Sequence, residues 1–270
     1  MISSIARWLV KKRFYATSDF LLSASSLIIG SGSKINYNKN GYWAHRQDGW
    51  IINEAFPNIR LNIRELRKKL EEIYFYQYEP GENNICVDVG AGIGTESIFL
   101  SLKVGSGGKV YAIEASPHTF SILKANMEDN ELNNVSCYNA AISDSNGKMM
   151  INDNLDNHIV NTVFATGGTE IEAFTMDSFF IECRIDRVDY LKVNIEGAEK
   201  LLIRSFNNIK KVHYVAISCH DFLARQSGNN IFFTRNIVCE FLIKNNFVIT
   251  SRNTGVDYID DWIYGTNKDF

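Results

Sequence analysis

Apolar residues in this chain come either in short runs or at every third or fourth position. Ile63, Leu66, Leu70, Ile73 and Tyr74 fall at helical spacing and predict an amphipathic helix, closed by Glu79-Pro80-Gly81. From Ile85 onward the two patterns take turns. Apolar runs predict strands at about 85–89, 109–114, 135–138, 188–193, 212–218, 246–251 and 258–264. Helices are predicted at about 94–103, 117–130, 197–205 and 231–245. Such alternation implies an α/β fold, a mainly parallel sheet with helices on both faces. The last two strands, joined through Asn253-Thr254-Gly255, form an antiparallel hairpin in this reading. The stretch 152–174, rich in Asn, Asp and Thr with a Gly167-Gly168 pair, predicts a long loop of the kind that often serves function.

Residues 1–74 read differently and are taken as an N-terminal extension, helical and irregular, to a domain over 75–270. Ile5, Trp8 and Leu9 lie at helical spacing and are followed by Lys11-Lys12-Arg13, Phe14 and Tyr15. Such a segment suits either peripheral contact with an anionic membrane or docking on the domain or on a partner subunit in a homo-oligomer. Docking is the commoner use of an amphipathic helix. The run Phe20–Ile29 is too short to span a bilayer, and the basic residues follow the first apolar stretch where a secretory signal has them in front. Residues 36–58 predict an irregular segment. Its Tyr42, Trp43, His45 and Trp50 are candidates to roof a substrate site, although packing is the commoner explanation for such aromatics.

Candidate chemistry centres on Asp88-Val89-Gly90-Ala91-Gly92-Ile93-Gly94, between a predicted strand and a predicted helix. A strand, a glycine turn and a helix N-terminus together gather backbone N–H groups around a ligand. The next strand ends in Glu114, placed to accept hydrogen bonds from a ribose diol. Asp88 just before the first glycine would repel a pyrophosphate but suits a cofactor carrying ammonium and sulfonium groups, as S-adenosylmethionine does. A nicotinamide-dependent oxidoreductase is therefore the disfavoured alternative.

Five segments add to this: Asp88-Val-Gly-Ala-Gly-Ile-Gly-Thr-Glu96, Ile113-Glu-Ala-Ser-Pro117, Asn139-Ala-Ala-Ile-Ser-Asp144, Thr175-Met-Asp-Ser-Phe179 and Leu191-Lys-Val-Asn-Ile-Glu-Gly-Ala-Glu199. In this order they resemble the FkbM family of S-adenosylmethionine-dependent methyltransferases. The resemblance covers about residues 75 to 265. It implies a class I, Rossmann-like fold with a seven-stranded sheet and a C-terminal hairpin, and O-methylation of a saccharide, glycolipid or natural product. Asn194 stands where the family usually has Asp, which keeps open a non-catalytic protein of the same fold.

Cofactor contacts are expected from Asp88, Gly90, Gly92 and Glu114. The backbone near Ala141 and Ile142 flanks the adenine, and Asp144 either caps that loop or binds the adenine amino group. Candidates for the base that deprotonates an acceptor hydroxyl are His220 and Glu196, with Asn194 orienting the acceptor. Histidine titrates near neutrality and is narrowly favoured, because Glu196 has an alternative role as a helix-start carboxylate. Lys192, among apolar neighbours, is expected to reach Asp88 or Glu114. No metal site is predicted from Asp177, Glu196, His220 and Asp221. Composition narrows the partners further. A net charge of −3 gives no footprint for nucleic acid. Five scattered cysteines without a Cys-x-x-Cys fit a reducing, cytoplasmic setting.

Overall fold

The computed structural model describes residues 2–151 and 168–270. Two helices open the chain, α1 (Ile2–Lys11) and α2 (Tyr15–Ile28), followed by three short strands, β1 (Lys34–Tyr37), β2 (Trp43–Gln47) and β3 (Trp50–Glu54). The amphipathic helix α3 (Ile63–Tyr74) comes next, its N-terminus capped by the Asn62 side chain. Alternation then begins with β4 (Ile85–Val89), α4 (Thr95–Val104), β5 (Lys109–Glu114), α5 (Pro117–Asp129) and β6 (Val135–Asn139). A small sheet follows from β7 (Ala141–Ile142), β8 (Gly147–Ile151) and β9 (Thr169–Phe174). The chain finishes with α6 (Met176–Glu182), β10 (Val188–Val193), α7 (Glu199–Arg204), β11 (Val212–Ser218), α8 (Asp221–Ser227), α9 (Arg235–Lys244), β12 (Phe247–Ser251), α10 (Asp257–Asp260) and β13 (Trp262–Asn267).

The central sheet has seven strands in the order β12-β13-β11-β10-β4-β5-β6. From β11 to β6 every pairing is parallel, and β13 runs antiparallel to both β11 and β12. This is the class I methyltransferase arrangement, with the hairpin at one edge. Every residue of β10 is buried, because a central parallel strand is covered on both faces. One core cluster joins β10 and β11 to α6, α7 and α9 through Phe180, Leu191, Leu202, Val215 and Leu242. A second joins α4 and α5 to Ile52 of β3 and Ile63 and Leu70 of α3.

The structure corrects three sequence expectations. Residues 36–58 are not irregular: β1, β2 and β3 form an antiparallel sheet with Gln47 opposite Trp50. The signal lay in Asp48-Gly49, both with positive φ, a dipeptide that favours a tight hairpin turn. The last strand starts at Trp262, not near 258, because Asp257–Asp260 makes a helical turn. Asp260 folds back to accept hydrogen bonds from the Thr254 and Gly255 N–H groups. In the expected loop, residues 152–167 lie outside the described residues, whereas Thr169–Phe174 is strand β9. There Glu170, Ile171, Glu172 and Ala173 alternate outward and inward, the period of two that marks a strand.

Candidate active site

A cavity of about 410 Å³ opens at the carboxyl ends of β4, β5 and β10, where open α/β sheets bind ligands. The glycine turn after β4 forms one wall. Gly90 has φ +73°, and a Cβ there would lie 1.9 Å from the Asn194 carbonyl oxygen, so only glycine lets the turn pack on the end of β10. Gly92 has φ +56°, yet a Cβ on it would meet nothing within 4 Å. Both glycines line the cavity, and the space over Gly92 belongs to a ligand or solvent.

Glu114 ends β5 inside the cavity. Its carboxylate accepts hydrogen bonds from the Gly92 N–H (2.9 Å) and the Ser116 N–H (2.8 Å). Burial pushes its pKa up to about 7 against those two donors. Ala141, Ile142 and Asn194 line the cavity as expected. Glu196 lines it as well, on a residue with φ +51°. Burial raises the Glu196 pKa to about 7; His220 opposes that rise, and Glu199 and Glu114 add to it.

Asp88 does not face the cavity. Its side chain is fully buried, 2.8 Å from Lys192 Nζ, and it accepts a hydrogen bond from the Ser97 hydroxyl (2.6 Å). Lys192 also donates to the Gly90 carbonyl oxygen (2.8 Å). Burial works against both charges, yet Asp88 holds Lys192 above its ordinary pKa. The expected Lys192–Asp88 contact is present, and it removes the cofactor role expected for Asp88: a paired acid under the turn presents no charge to a ligand. Asp144 is a second correction. It faces outward toward Arg204 at 3.4 Å and is absent from the cavity wall.

His220 lies between β11 and α8, outside the cavity wall. Its Nδ1 lies 3.2 Å from Glu199 Oε1, and both side chains are buried. Burial opposes protonation of the ring, but Glu199 and Glu196 hold its pKa above the ordinary histidine value. Both carboxylates thus favour the protonated ring. The turn-capping role expected of Glu196 belongs to Glu199, which accepts from the Ile195 and Gly197 N–H groups. Glu196 is thereby left without a structural task. Asp177 accepts from the Asn207 and Asn208 N–H groups, and Asp221 from those of Thr234 and Arg235. Among the described residues no three His, Cys, Asp or Glu side chains are grouped to hold a metal ion.

Sequence reasoning missed Glu54, Asn58 and Glu96, which also line the cavity. Glu96 was legible as the acid closing the glycine motif, and it accepts from Tyr74 Oη (2.9 Å). Glu54 ends, and Asn58 follows, a strand that was not foreseen. None of Tyr42, Trp43, His45 or Trp50 lines the cavity, so the roof expected from them comes instead from Ile52, Glu54, Asn58, Leu61 and Leu66. Trp43 packs against Ala6, Leu22 and Ile35 under the N-terminal helices. His45 is buried 3.2 Å from Glu54.

The lining set therefore holds four carboxylates (Glu54, Glu96, Glu114 and Glu196) and, among the described residues, no Lys, Arg or His. A dinucleotide pyrophosphate finds no cation to pair with there. Shape and charge leave room for a nucleoside with a cationic reacting centre: Glu114 ends β5 in the wall, a Cβ on Gly92 would meet nothing within 4 Å, and Ala140, Ala141 and Ile142 form an apolar stretch.

A hexuronic acid methyltransferase, AglP, of Haloferax volcanii is 26% identical over 160 residues, 58% of this chain and 65% of the relative. A probable cobalt-precorrin-6B C(15)-methyltransferase (decarboxylating) of Sulfolobus acidocaldarius is 37% identical over 121 residues, 45% of this chain and 55% of the relative. The chain thus spans under two thirds of the length of either curated relative. Among solved structures, an O-methyltransferase from Bacillus cereus in complex with SAH aligns with a TM-score of 0.48 at 16% identity, over 76% of this chain and 81% of that one. The methyltransferase FkbM domain matches residues 88–246, more than half of the sequence. The chain belongs to the FkbM methyltransferase family, whose cofactor is S-adenosylmethionine.

Proposed function

We propose that this protein is an S-adenosylmethionine-dependent O-methyltransferase acting on a hydroxyl of a saccharide, glycolipid or natural-product acceptor, with Glu196 as the general base. The observation that carries the reading is Glu196 itself. It is a cavity-lining carboxylate with no structural hydrogen bond among the described residues, lifted by burial to about 7. A general base works best with a pKa near the operating pH.

Glu114 would hold the cofactor ribose, the Gly90–Gly92 turn its amino-acid end, and Ala140–Ile142 its adenine. S-adenosylmethionine supplies an electrophilic methyl group when bound. The chain's own contribution is to orient the acceptor hydroxyl through Asn194, take its proton onto Glu196, and exclude water with Ile52, Leu61 and Leu66. His220, held by Glu199, tunes Glu196 from behind as a positioning residue. The saccharide end of the reading draws on the hexuronic acid methyltransferase relative.

The test is turnover on a panel of hydroxylated acceptors, with cofactor affinity measured alongside by calorimetry. Glu196→Gln is expected to lower turnover about 10²- to 10⁴-fold with cofactor affinity unchanged. Wild-type rate should rise with pH through about 7, as Glu196 loses its proton. His220→Gln should shift that profile with a smaller loss. A larger loss in His220→Gln than in Glu196→Gln assigns the base to His220 and overturns the assignment.

A further inference from the structure

The N-terminal helices bury one face and leave the other bare. Ala6 of α1 and Leu22 of α2 pack on Ile35 and Trp43 of the small sheet. On the opposite side of α2, Phe20, Leu27 and Ile28 are 77%, 73% and 84% exposed. These positions, with Ala24 between them, repeat at helical spacing and form one stripe. Trp8 of α1 is 56% exposed, and so is Phe14 at the turn between the helices. Large apolar side chains gathered in this way on a surface mark an interaction site.

The charge beside the patch says what kind. Arg7, Lys11, Lys12 and Arg13 are the basic residues of the first 33 positions, against the single acid Asp19, in a chain whose net charge is −3. Asp19 is occupied by the Tyr37 N–H (2.9 Å). Lys11, Lys12 and Arg13 are exposed and form no ion pair among the described residues. Trp, Phe and Ile side chains next to unpaired lysines match the two halves of an anionic lipid surface, acyl boundary and headgroup. No described helix is long and apolar enough to cross a membrane. Contact of this kind would therefore lie in the interface.

The patch is also tied to the rim of the cavity. Ser3 Oγ donates to the Pro57 carbonyl oxygen (3.2 Å), and the Arg7 guanidinium sits 5.3 Å over the Phe56 ring. One residue further on is Asn58, and then Leu61, both in the cavity wall. A surface that receives α1 thus lies beside the acceptor's side of the site.

We propose that α1 and α2 form a peripheral docking surface for anionic bilayers, seated through Trp8, Phe14, Phe20, Leu27 and Ile28 and steered by Lys11, Lys12 and Arg13. A bilayer in this place sets the cavity rim against lipid-linked acceptors, a consequence that rests on the methyltransferase reading; the docking itself does not.

Co-sedimentation of the full chain with vesicles tests the docking without cofactor or acceptor, so its outcome is independent of whether methyl transfer is found. Vesicles of phosphatidylglycerol and phosphatidylcholine should retain the protein, and pure phosphatidylcholine should not. Reversing Lys11, Lys12 and Arg13 to Glu should weaken retention by about tenfold or more, and Trp8→Ser with Phe20→Ser should do likewise. Far-ultraviolet circular dichroism checks that each variant remains folded. Absence of retention, or equal retention on both lipids, overturns the proposal. So does a dimer in lipid-free solution that Trp8→Ser with Phe20→Ser dissociates, since a second copy would then own the face.

Discussion

The two sides of the cavity are built on opposite terms. On the glycine-turn side the polar groups are engaged within the chain. Glu114 holds two backbone N–H groups, Glu96 holds Tyr74, and Asp88 is neutralised by Lys192 beneath the turn. On the facing side Glu54 Oε2 lies 3.2 Å from the buried His45 ring, and Glu196 has no hydrogen bond among the described residues. A wall whose polar atoms are already satisfied is pre-organised and recognises by shape and by spare lone pairs. A wall with an unsatisfied carboxylate stores a chemical capacity at a cost in stability. The first suits a cofactor that must bind in one way. The second suits a proton that must move.

The sharpest way to break this contrast is to substitute the two glycines one at a time. Gly90→Ala drives a Cβ into the Asn194 carbonyl and should cost more than about 4 kcal/mol, or prevent folding, because backbone must move. Gly92→Ala meets no protein atom and should cost only the left-handed penalty of about 1–2 kcal/mol. It should nevertheless lower cofactor affinity at least tenfold. Thermal denaturation and calorimetry on the pair read both effects. A Gly92→Ala protein that binds S-adenosylmethionine normally removes the cofactor from that wall.

Acidity gives a second comparison. Glu114 and Glu196 are both raised from 4.5 to about 7. The folded state then binds protons that the unfolded state has released, so between about pH 4.5 and 7 stability falls as pH rises. Each acid is worth on the order of 3 kcal/mol at the upper end. Chemical denaturation of the ligand-free protein at pH 5 and pH 8 should show this loss, and Glu114→Gln with Glu196→Gln should remove most of it. An unchanged pH slope in that double variant would falsify the account of both groups.

A smaller contrast sets two strand-end acids side by side. Glu114→Ala should weaken S-adenosylmethionine binding about ten- to a hundredfold, the value of one or two charge-assisted hydrogen bonds. Asp144→Ala should change it less than about twofold, since Asp144 faces Arg204 in solvent and exposed pairs are worth little. Comparable losses in the two variants would return Asp144 to the site.

What could be read from the sequence follows the same division. Strands β4, β5, β10 and β11 were legible to the residue, because buried parallel strands read as near-continuous apolar runs, broken here only by single polar residues such as Asp88, Asp189 and Lys192. Gly90, Gly92 and Glu114 were legible from spacing. Asp88 was given a cofactor contact because a sequence shows a charge and not which way it faces: its partner Lys192, 104 positions away, was foreseen, but the register of β4 with β10 puts the pair beneath the turn and not in the cavity wall. Glu199 was overlooked for a related reason. In Glu196-Gly197-Ala198-Glu199 the first acid looked like the cap, and only the positive φ of Glu196 shows that the chain turns it into the cavity. Glu54 and Asn58 were hidden by aromatic residues that drew attention to the wrong face of the small sheet.

Glu199 has a consequence for traffic through the site. One carboxylate grips the turn after β10 and, through His220, the end of β11. Gly90 wedges the glycine turn against the same strand end. Three strand ends, those of β4, β10 and β11, are thereby tied to one another. The opposite rim at residues 54–61, where the chain runs between β3 and α3, has no side-chain hydrogen bond to these strand ends among the described residues. A substitution in that rim is expected to change the exchange of cofactor and acceptor while leaving Glu114 and Glu196 in register.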